Sequence, residues 1–214
     1  MRLITHLVFL GLLCLAPCTA TSIAKAGCGG ADSVSVNGPA SCFSGGSSAF
    51  AGPFAVAVFA TGPKGTNFGG FASYETDAYL TTTGGTGPGY ASIFFGFNLS
   101  AEVQDNGTLQ AKINGFQNFY FDSSRFGGGN KDVSLIYGEP VLLHIELLAI
   151  VSSNARPNSP DTLIGFLTIS SILTDVEGAR AVLVEVPEPR YGLLAGMVLL
   201  GWLAMAKIQA AIPS

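Results

Sequence analysis

Charged side chains are scarce in this sequence, since aspartate, glutamate, lysine and arginine make up 11% of its 214 residues and the formal net charge is −4. No basic run occurs, so the chain lacks the cationic face that nucleic-acid binding requires, and nucleic acid is not an expected partner. Scarce charge accompanies disorder only when apolar content is also low. Here 48% of the residues are hydrophobic, which predicts a packed domain with a surface of serine, threonine, asparagine and glycine.

Histidine and the sequence motifs of hydrolases are nearly absent. His6 lies in an N-terminal segment that we expect to be removed, so His144 alone remains of the two histidines. One histidine cannot supply the roughly three protein ligands of a catalytic zinc. His144 and Glu146 share a strand face, but no Gly-x-Ser-x-Gly motif accompanies them, which disfavours a Ser-His-Glu hydrolase. We therefore expect a non-catalytic protein without a cofactor or a metal site.

Calcium and sugar binding are the weaker alternatives. Asp161 and the turn at residues 175–178 could bind calcium, with Asp122 and Asp132 nearby, but they match no known calcium loop, and turn aspartates usually form turns only. Sugars could stack on tyrosines, although the sole tryptophan, Trp202, lies in the apolar C-terminal segment and most phenylalanines are expected to point inward. The tyrosines in question are Tyr74, Tyr79, Tyr90, Tyr120 and Tyr137.

The N-terminus has the pattern of a secretory signal peptide. A short basic start, Met1-Arg2, precedes an apolar segment at residues 3–16, which Pro17 ends. Small residues at the −3 and −1 positions predict cleavage after Ala20, with a second site after Ala26. Lipidation is disfavoured, because neither nearby cysteine has the preceding aliphatic residue that a lipoprotein signal needs. Residues 1–26 are therefore interpreted as a signal peptide that directs export.

Removal of the signal peptide leaves two of the four cysteines, Cys28 and Cys42. In an oxidising compartment two such cysteines are expected to form a disulfide, because a structural zinc would need two further ligands. Closing a loop of this size stabilises a fold by roughly 3 kcal/mol in the chain-entropy interpretation. We predict that residues 27–52 form a loose, disulfide-stapled segment with one short strand at residues 33–36.

Period-two alternation is clearest between Tyr90 and Gly115. Apolar residues occupy alternate positions before and after residues 105–107, which predicts two strands, each with one buried face. A three-residue Asp-Asn-Gly loop at 105–107 would pair Leu99 with Ile113 and keep the apolar faces together, whereas a two-residue Asn-Gly loop would bury polar groups. The alternating apolar residues are Ala91, Ile93, Phe95, Phe97, Leu99, Ala101 and Val103, then Leu109, Ala111 and Ile113.

The rest of the region 53–186 is also interpreted as strands separated by turns. Val141–Val151 is apolar on both faces except at His144 and Glu146, which predicts a central strand, with residues 162–173 pairing back against it. Residues 126–132 are predicted to be a glycine-rich loop. Many short antiparallel strands and no amphipathic helix predict an all-β fold, an antiparallel β-sandwich or jelly roll. Further strands are predicted at 54–61, 72–82, 116–122, 133–137 and 181–186.

The C-terminal segment combines prolines with an apolar run. Pro187, Glu188 and Pro189 follow the last predicted strand, and two prolines end a strand because they remove backbone donors. The charge-free run at residues 191–206 would span roughly 24 Å as a helix at about 1.5 Å per residue, against a hydrocarbon core of roughly 30 Å. Lys207 can snorkel and residues 208–212 can extend the span. We predict one membrane helix, anchored by Tyr191, Trp202 and Lys207.

This layout resembles the PEP-CTERM sorting signal of bacterial envelope proteins, in which a Pro-Glu-Pro motif precedes a short membrane helix and a basic cluster. The resemblance implies export, transient anchoring in membrane lipid, and processing near residues 187–189 by an exosortase, a membrane cysteine protease. The tail departs from the pattern, because Lys207 stands alone where the family usually has several arginines. An ordinary C-terminal anchor with a proline-rich hinge is the alternative interpretation.

Taken together, these features predict an exported protein that is anchored in the membrane before processing and is afterwards at the cell surface or extracellular. Its expected role is that of a non-catalytic protein of the cell envelope or extracellular matrix. The alternative is a carbohydrate-binding or adhesion module on the same β-sandwich, for which an extracellular polysaccharide would be the partner.

Overall fold

The computed structural model describes residues 22–29, 31–63, 65–100, 106–121, 125–154 and 162–186. All regular secondary structure in these residues is β-strand. The predicted signal peptide before residue 21 and the predicted sorting signal and membrane helix, residues 187–214, lie outside the described residues. The strands are β1 (Ile23–Cys28), β2 (Ala31–Val36), β3 (Ala40–Ser44), β4 (Ser47–Gly52), β5 (Ala55–Thr61), β6 (Gly69–Thr83), β7 (Pro88–Ser100), β8 (Asn106–Ile113), β9 (Phe116–Phe121), β10 (Arg125–Ile136), β11 (Val141–Ser152), β12 (Thr162–Thr174) and β13 (Arg180–Glu185).

Two antiparallel sheets contain these strands. Sheet A has the order β2-β1-β6-β11-β8-β9, and sheet B has the order β10-β7-β12-β5-β4-β3. In sheet A, β1 pairs with residues 70–75 of β6 and β13 pairs with residues 78–83, while β11 pairs with residues 69–80. Strands β1 and β13 therefore share one edge of the long strand β6. The predicted all-β, sandwich-like architecture is confirmed for the described residues.

The hydrophobic core lies between the two sheets and is filled by alternate residues of each strand. Because side chains alternate in direction along a strand, the period-two pattern predicts which residues face inward. That prediction is confirmed on β7, β8 and β11, where every second residue is buried. The largest fully buried side chains include Tyr74, Phe95, Leu80, Ile93, Leu99, Leu109, Leu143, Ile145, Leu147, Leu163 and Leu167.

The predicted hairpin that pairs Leu99 with Ile113 is wrong. Strand β7 lies in sheet B between β10 and β12, whereas β8 lies in sheet A between β11 and β9. Both strands bury their apolar residues in the same core from opposite sides, so the alternation is satisfied without pairing. A different Asn-Gly pair, Asn114 and Gly115, forms the two-residue turn of the hairpin between β8 and β9. Their φ angles of 53° and 76° match the type I′ turn that suits a two-residue loop.

Strand β11 is central, as predicted, because it pairs with β6 on one side and β8 on the other. The predicted return of residues 162–173 against β11 is wrong. Strand β12 lies in sheet B, between β5 and β7. Its Gly165 faces β11 across the core, where an added Cβ would contact the side chains of Val151 and Ala149. The chain thus crosses from one sheet to the other instead of folding back within it.

The glycine-rich loop predicted at residues 126–132 is instead part of the edge strand β10. Gly127, Gly128 and Gly129 pair with Phe97, Gly96 and Phe95 of β7. The hydrogen-bonding partner, and not the composition of the segment, therefore sets its conformation. A β-propensity estimate from glycine content alone misses such a strand, because propensity in a sheet depends strongly on neighbours.

Residues 27–52, predicted to be a loose segment with one strand, belong to four strands of the sandwich. The compact unit extends from Thr21 to Val186. Strand β1 is an inner strand that pairs with both β2 and β6, and its Ala24 and Ala26 are fully buried. Short runs of small residues give little periodic signal by themselves, although they pack well between two neighbouring strands.

Candidate functional site

The predicted disulfide between Cys28 and Cys42 is confirmed. Cys28 ends β1 in sheet A and Cys42 lies in β3 in sheet B, with the two Cα atoms 6.0 Å apart. The bond therefore joins the two sheets covalently. The predicted sorting motif, Pro187, Glu188 and Pro189, and the anchor residues Tyr191, Trp202 and Lys207 lie outside the described residues. No helix among the described residues is long and apolar enough to span a membrane.

An ionic cluster surrounds His144 on the outer face of sheet A. The His144 Nδ1 atom lies 2.8 Å from the Asp77 Oδ1 atom, and its Nε2 atom lies 3.6 Å from carboxylate oxygens of both Glu75 and Glu146. The Lys112 Nζ atom is 2.7 Å from Glu146. Pairing of β6, β11 and β8 places these residues directly opposite one another. The alternation on β11 identified Glu146 as a neighbour but missed Asp77, because only sheet pairing brings β6 beside β11.

The side chains around His144 do not form a catalytic triad within the described part of the chain. Its side-chain partners there are carboxylates, with no hydroxyl or thiol within bonding distance to serve as a nucleophile. No group of three or more metal-ligating residues suited to an ion occurs among the described residues. Partly exposed ion pairs of this kind contribute about 0–1 kcal/mol each. The cluster can link β6, β11 and β8 electrostatically.

Asp175, one of the calcium candidates, is hydrogen-bonded within the domain. Its Oδ1 atom accepts a hydrogen bond of 2.6 Å from the Tyr137 hydroxyl and one of 3.0 Å from the Tyr90 backbone N–H. The bond from Tyr137, together with that from Tyr90, lowers the pKa of Asp175. Desolvation, and then the bond to Asp175, raises the pKa of Tyr137. These contacts fasten the β12–β13 turn to β7. Asp122 and Asp161 lie outside the described residues.

The tyrosines do not form an exposed row in the described structure. Tyr74 and Tyr137 are buried, whereas Tyr90 is exposed on sheet B and Tyr79 is half-buried on sheet A. The structure does not describe the side chain of Tyr120. The expectation that most phenylalanines point inward is wrong for several strands. The exposed phenylalanines are the aromatic residues that the sequence pattern did not identify as a surface feature. Among the residues whose side chains the structure describes, the exposed phenylalanines are Phe43 (82% exposed), Phe50 (42%), Phe59 (43%), Phe116 (74%), Phe126 (88%) and Phe166 (37%).

Four of these phenylalanines line an open groove on the outer face of sheet B, which we call the aromatic groove. Its volume is about 830 Å³. Small side chains alternate with large ones across the strands, which makes the surface concave. The residues that line the aromatic groove include Phe43, Phe50, Phe59 and Phe166, the aliphatic residues Ala57 and Ile164, and the polar residues Ser41, Ser48 and Asn98.

The two outer faces of the sandwich differ in charge. Five of the six strands of sheet B, namely β3, β4, β5, β7 and β12, contain no aspartate, glutamate, lysine, arginine or histidine. Sheet A instead has the ionic cluster around His144. Because a contiguous exposed apolar patch on a soluble domain usually marks an interaction site, the aromatic groove is the candidate functional site of the described structure.

Comparisons with known protein families, with curated proteins and with solved structures find no match to this chain. The candidate function therefore depends on the residues and geometry of the chain itself.

Proposed function

We propose that this protein is an exported, non-catalytic component of the cell envelope or extracellular matrix that is sorted through its C-terminal Pro-Glu-Pro motif and apolar segment. The observation that supports export most directly is the disulfide between Cys28 and Cys42, which joins the two sheets. Disulfides form and persist in oxidising compartments and are rare in the cytosol. An N-terminal segment with the pattern of a secretory signal peptide is consistent with this compartment.

The end of β13, the last described strand, supports processing at the motif. The Val186 backbone N–H donates a hydrogen bond of 3.1 Å to the Asp77 carbonyl oxygen, directly after β13 ends at Glu185. Pro187 is the next residue and has no backbone N–H with which to continue the ladder. A protease that recognises residues 187–189 would therefore act directly after Val186, the last residue that the structure describes.

A non-catalytic role is supported by the surroundings of His144. In the described part of the chain this residue contacts carboxylates, and no nucleophile lies beside it. The alternative function, a carbohydrate-binding or adhesion module, is favoured by one observation, the aromatic groove on sheet B. The two functions are compatible, because sorting concerns the tail and binding concerns the domain.

The sorting proposal is tested by expressing the full chain in a bacterium that contains an exosortase. The variant Pro187→Ala/Pro189→Ala is compared with wild type, and Pro140→Ala, an exposed proline before β11, is the matched control. We expect wild type and the control to lose the segment after the motif and to leave the membrane fraction. The variant should keep its full C-terminal mass and stay in the membrane. Identical mass and location for the motif variant and wild type would refute sorting through this motif.

A further inference from the structure

We propose that the aromatic groove binds an uncharged polysaccharide in an extended conformation. The assignment rests on the proposed export, which brings the domain to a compartment where such polymers occur, and it names the ligand class of the alternative function. It is independent of how the C-terminus is processed, because every residue involved lies in sheet B.

The spacing of the phenylalanines fits a polymer with a regular repeat. Phe50 lies opposite Ala57, Ala57 lies opposite Phe166, Phe166 lies opposite Asn98, and Asn98 lies opposite Phe126. Three phenylalanines thus share one row across sheet B, each separated from the next by one strand with a smaller side chain. Neighbouring strands are about 4.8 Å apart, so successive rings are separated by roughly 10 Å. That separation is close to the length of a disaccharide unit in an extended glycan.

A second, parallel row completes the walls of the aromatic groove. Phe43 lies opposite Ser48, and Ser48 lies opposite Phe59. The two rows border the aromatic groove, whose lining also includes serine and alanine residues. A polymer that crosses the strands of sheet B can follow this groove and contact ring faces at repeating intervals.

The chemistry of the aromatic groove matches both faces of a sugar ring. The C–H face of a pyranose is apolar and slightly positive, which complements the negative face of a phenylalanine ring. The hydroxyl edge needs hydrogen-bonding groups, and the side chains of Ser41, Ser48 and Asn98 supply them. These three side chains make no side-chain hydrogen bond to another residue that the structure describes, so their bonding capacity remains for a ligand.

The lack of charged side chains on the strands that line the aromatic groove limits the classes of ligand that it could bind. Anionic glycans, phosphorylated polymers and anionic lipid surfaces are held by arginine or lysine. The strands that line the aromatic groove, β3, β4, β5, β7 and β12, contain neither, whereas Arg125 and Lys131 lie on the edge strand β10. A second copy of the chain laid face to face would bury Asn98 and the two serines against phenylalanine, which costs free energy when polar groups are left unpaired. An uncharged sugar polymer can pack its C–H faces on the phenylalanine rings and hydrogen-bond to the polar side chains at the same time.

The test uses the exported protein purified from the culture, or the detergent-solubilised full chain if it remains unprocessed. Depletion from solution is measured with amorphous cellulose, chitin and curdlan, which are uncharged, and with insoluble calcium alginate, which is anionic. Wild type is compared with Phe166→Ala and with Phe126→Ala, a residue so exposed that its removal leaves the core intact. The matched control is Phe116→Ala on β9 of sheet A. Thermal unfolding verifies the fold of each variant.

We expect wild type and Phe116→Ala to bind at least one uncharged polymer and not alginate. Phe166→Ala and Phe126→Ala should each weaken binding about 5-fold, the effect of one aromatic contact. Equal binding by wild type and both sheet B variants, binding to none of the uncharged polymers, or equal retention by alginate would each overturn the proposal. So would a dimer in sedimentation that Phe126→Ala or Phe166→Ala converts to monomer, because the groove would then join two copies. Failure of the sorting proposal is detected by a different measurement, because the motif variant and wild type would then have the same C-terminal mass.

Discussion

Removal of the disulfide by Cys28→Ala/Cys42→Ala tests how far the sandwich depends on a covalent link between its sheets. The two cysteines are 14 residues apart, and they join the end of β1 in sheet A to β3 in sheet B. Loss of a bridge that closes a loop of this length destabilises by about 3 kcal/mol in the chain-entropy interpretation. For a domain of this size, such a loss corresponds to a decrease in Tm of roughly 6–12 °C. Alanine is chosen because Cys28 is buried, and a serine hydroxyl there would add a separate cost.

The assay is urea unfolding followed by circular dichroism, with and without a thiol reductant. Wild type should lose stability in reductant and approach the double variant, whereas the double variant should be unaffected by reductant. The reasoning is refuted if wild type and the double variant have the same unfolding midpoint in the absence of reductant. It is also refuted if thiol titration of the exported protein finds two free cysteines, since the sheets would then be held together by packing alone.

Three further predictions concern buried tyrosines and the N-terminus. Tyr74 is 1% exposed and its hydroxyl has no hydrogen-bond partner among the described residues, so Tyr74→Phe should raise the free energy of unfolding by about 1 kcal/mol, measured in urea. Tyr137→Phe should lower stability, because it removes the hydrogen bond to Asp175. The pKa of Asp175 is lowered from 3.8 and the pKa of Tyr137 is raised from 10.0, so the difference from wild type should be full between these pH values. It should shrink as the pH falls from 3.8 through the lowered pKa of folded Asp175, and as the pH rises from 10.0 through the raised pKa of folded Tyr137. Finally, the mature chain should begin at Thr21, because cleavage after Ala26 would remove the first four of the six residues of β1, and N-terminal sequencing measures this directly.

Each of these outcomes has a contradicting result. A less stable Tyr74→Phe variant would mean that the Tyr74 hydroxyl is hydrogen-bonded. The substitution keeps the aromatic ring, so its edge-to-face contact with Phe54, with 6.3 Å between ring centroids, is retained and the comparison reports on the hydroxyl alone. A pH-independent difference for Tyr137→Phe would mean that the ring's packing matters and its hydroxyl does not. A folded mature chain that begins at Gly27 would show that β1 is dispensable for the sandwich.

Local sequence pattern predicted the buried face of a strand better than it predicted the partner of that strand. On β7 and β8 the alternation identified Leu99 and Ile113 as core residues, because a strand at the edge of a core must place apolar side chains on one side only. The same alternation predicts a hairpin of β7 and β8, and this prediction is wrong. Two strands that face one core from opposite sheets have the same pattern as two paired strands. Periodicity contains no information that distinguishes these arrangements.

The candidate site was less predictable than the core for a related reason. The aromatic content predicts buried phenylalanines, but Phe43, Phe59 and Phe126 are exposed. The residues beside them in sequence do not indicate which face of the strand turns outward. The row of phenylalanines exists only because the hairpin of β4 and β5 lies side by side and in register with β12, β7 and β10, which come from later parts of the chain. Asp77 likewise became a neighbour of His144 only through the pairing of β6 with β11.

The sequence by itself determined that the chain is β-rich, which residues of its clearest strands are buried, and that Cys28 and Cys42 pair. These follow from side-chain alternation and from the count of cysteines, both of which are local or compositional. The tertiary structure alone decided which sheet each strand joins, that the glycines of β10 form an edge strand, and that sheet B presents phenylalanine while sheet A presents charge. Those outcomes depend on contacts between segments far apart in the chain. Because the free energy of these contacts is shared among many residues, no single stretch of the sequence reveals them.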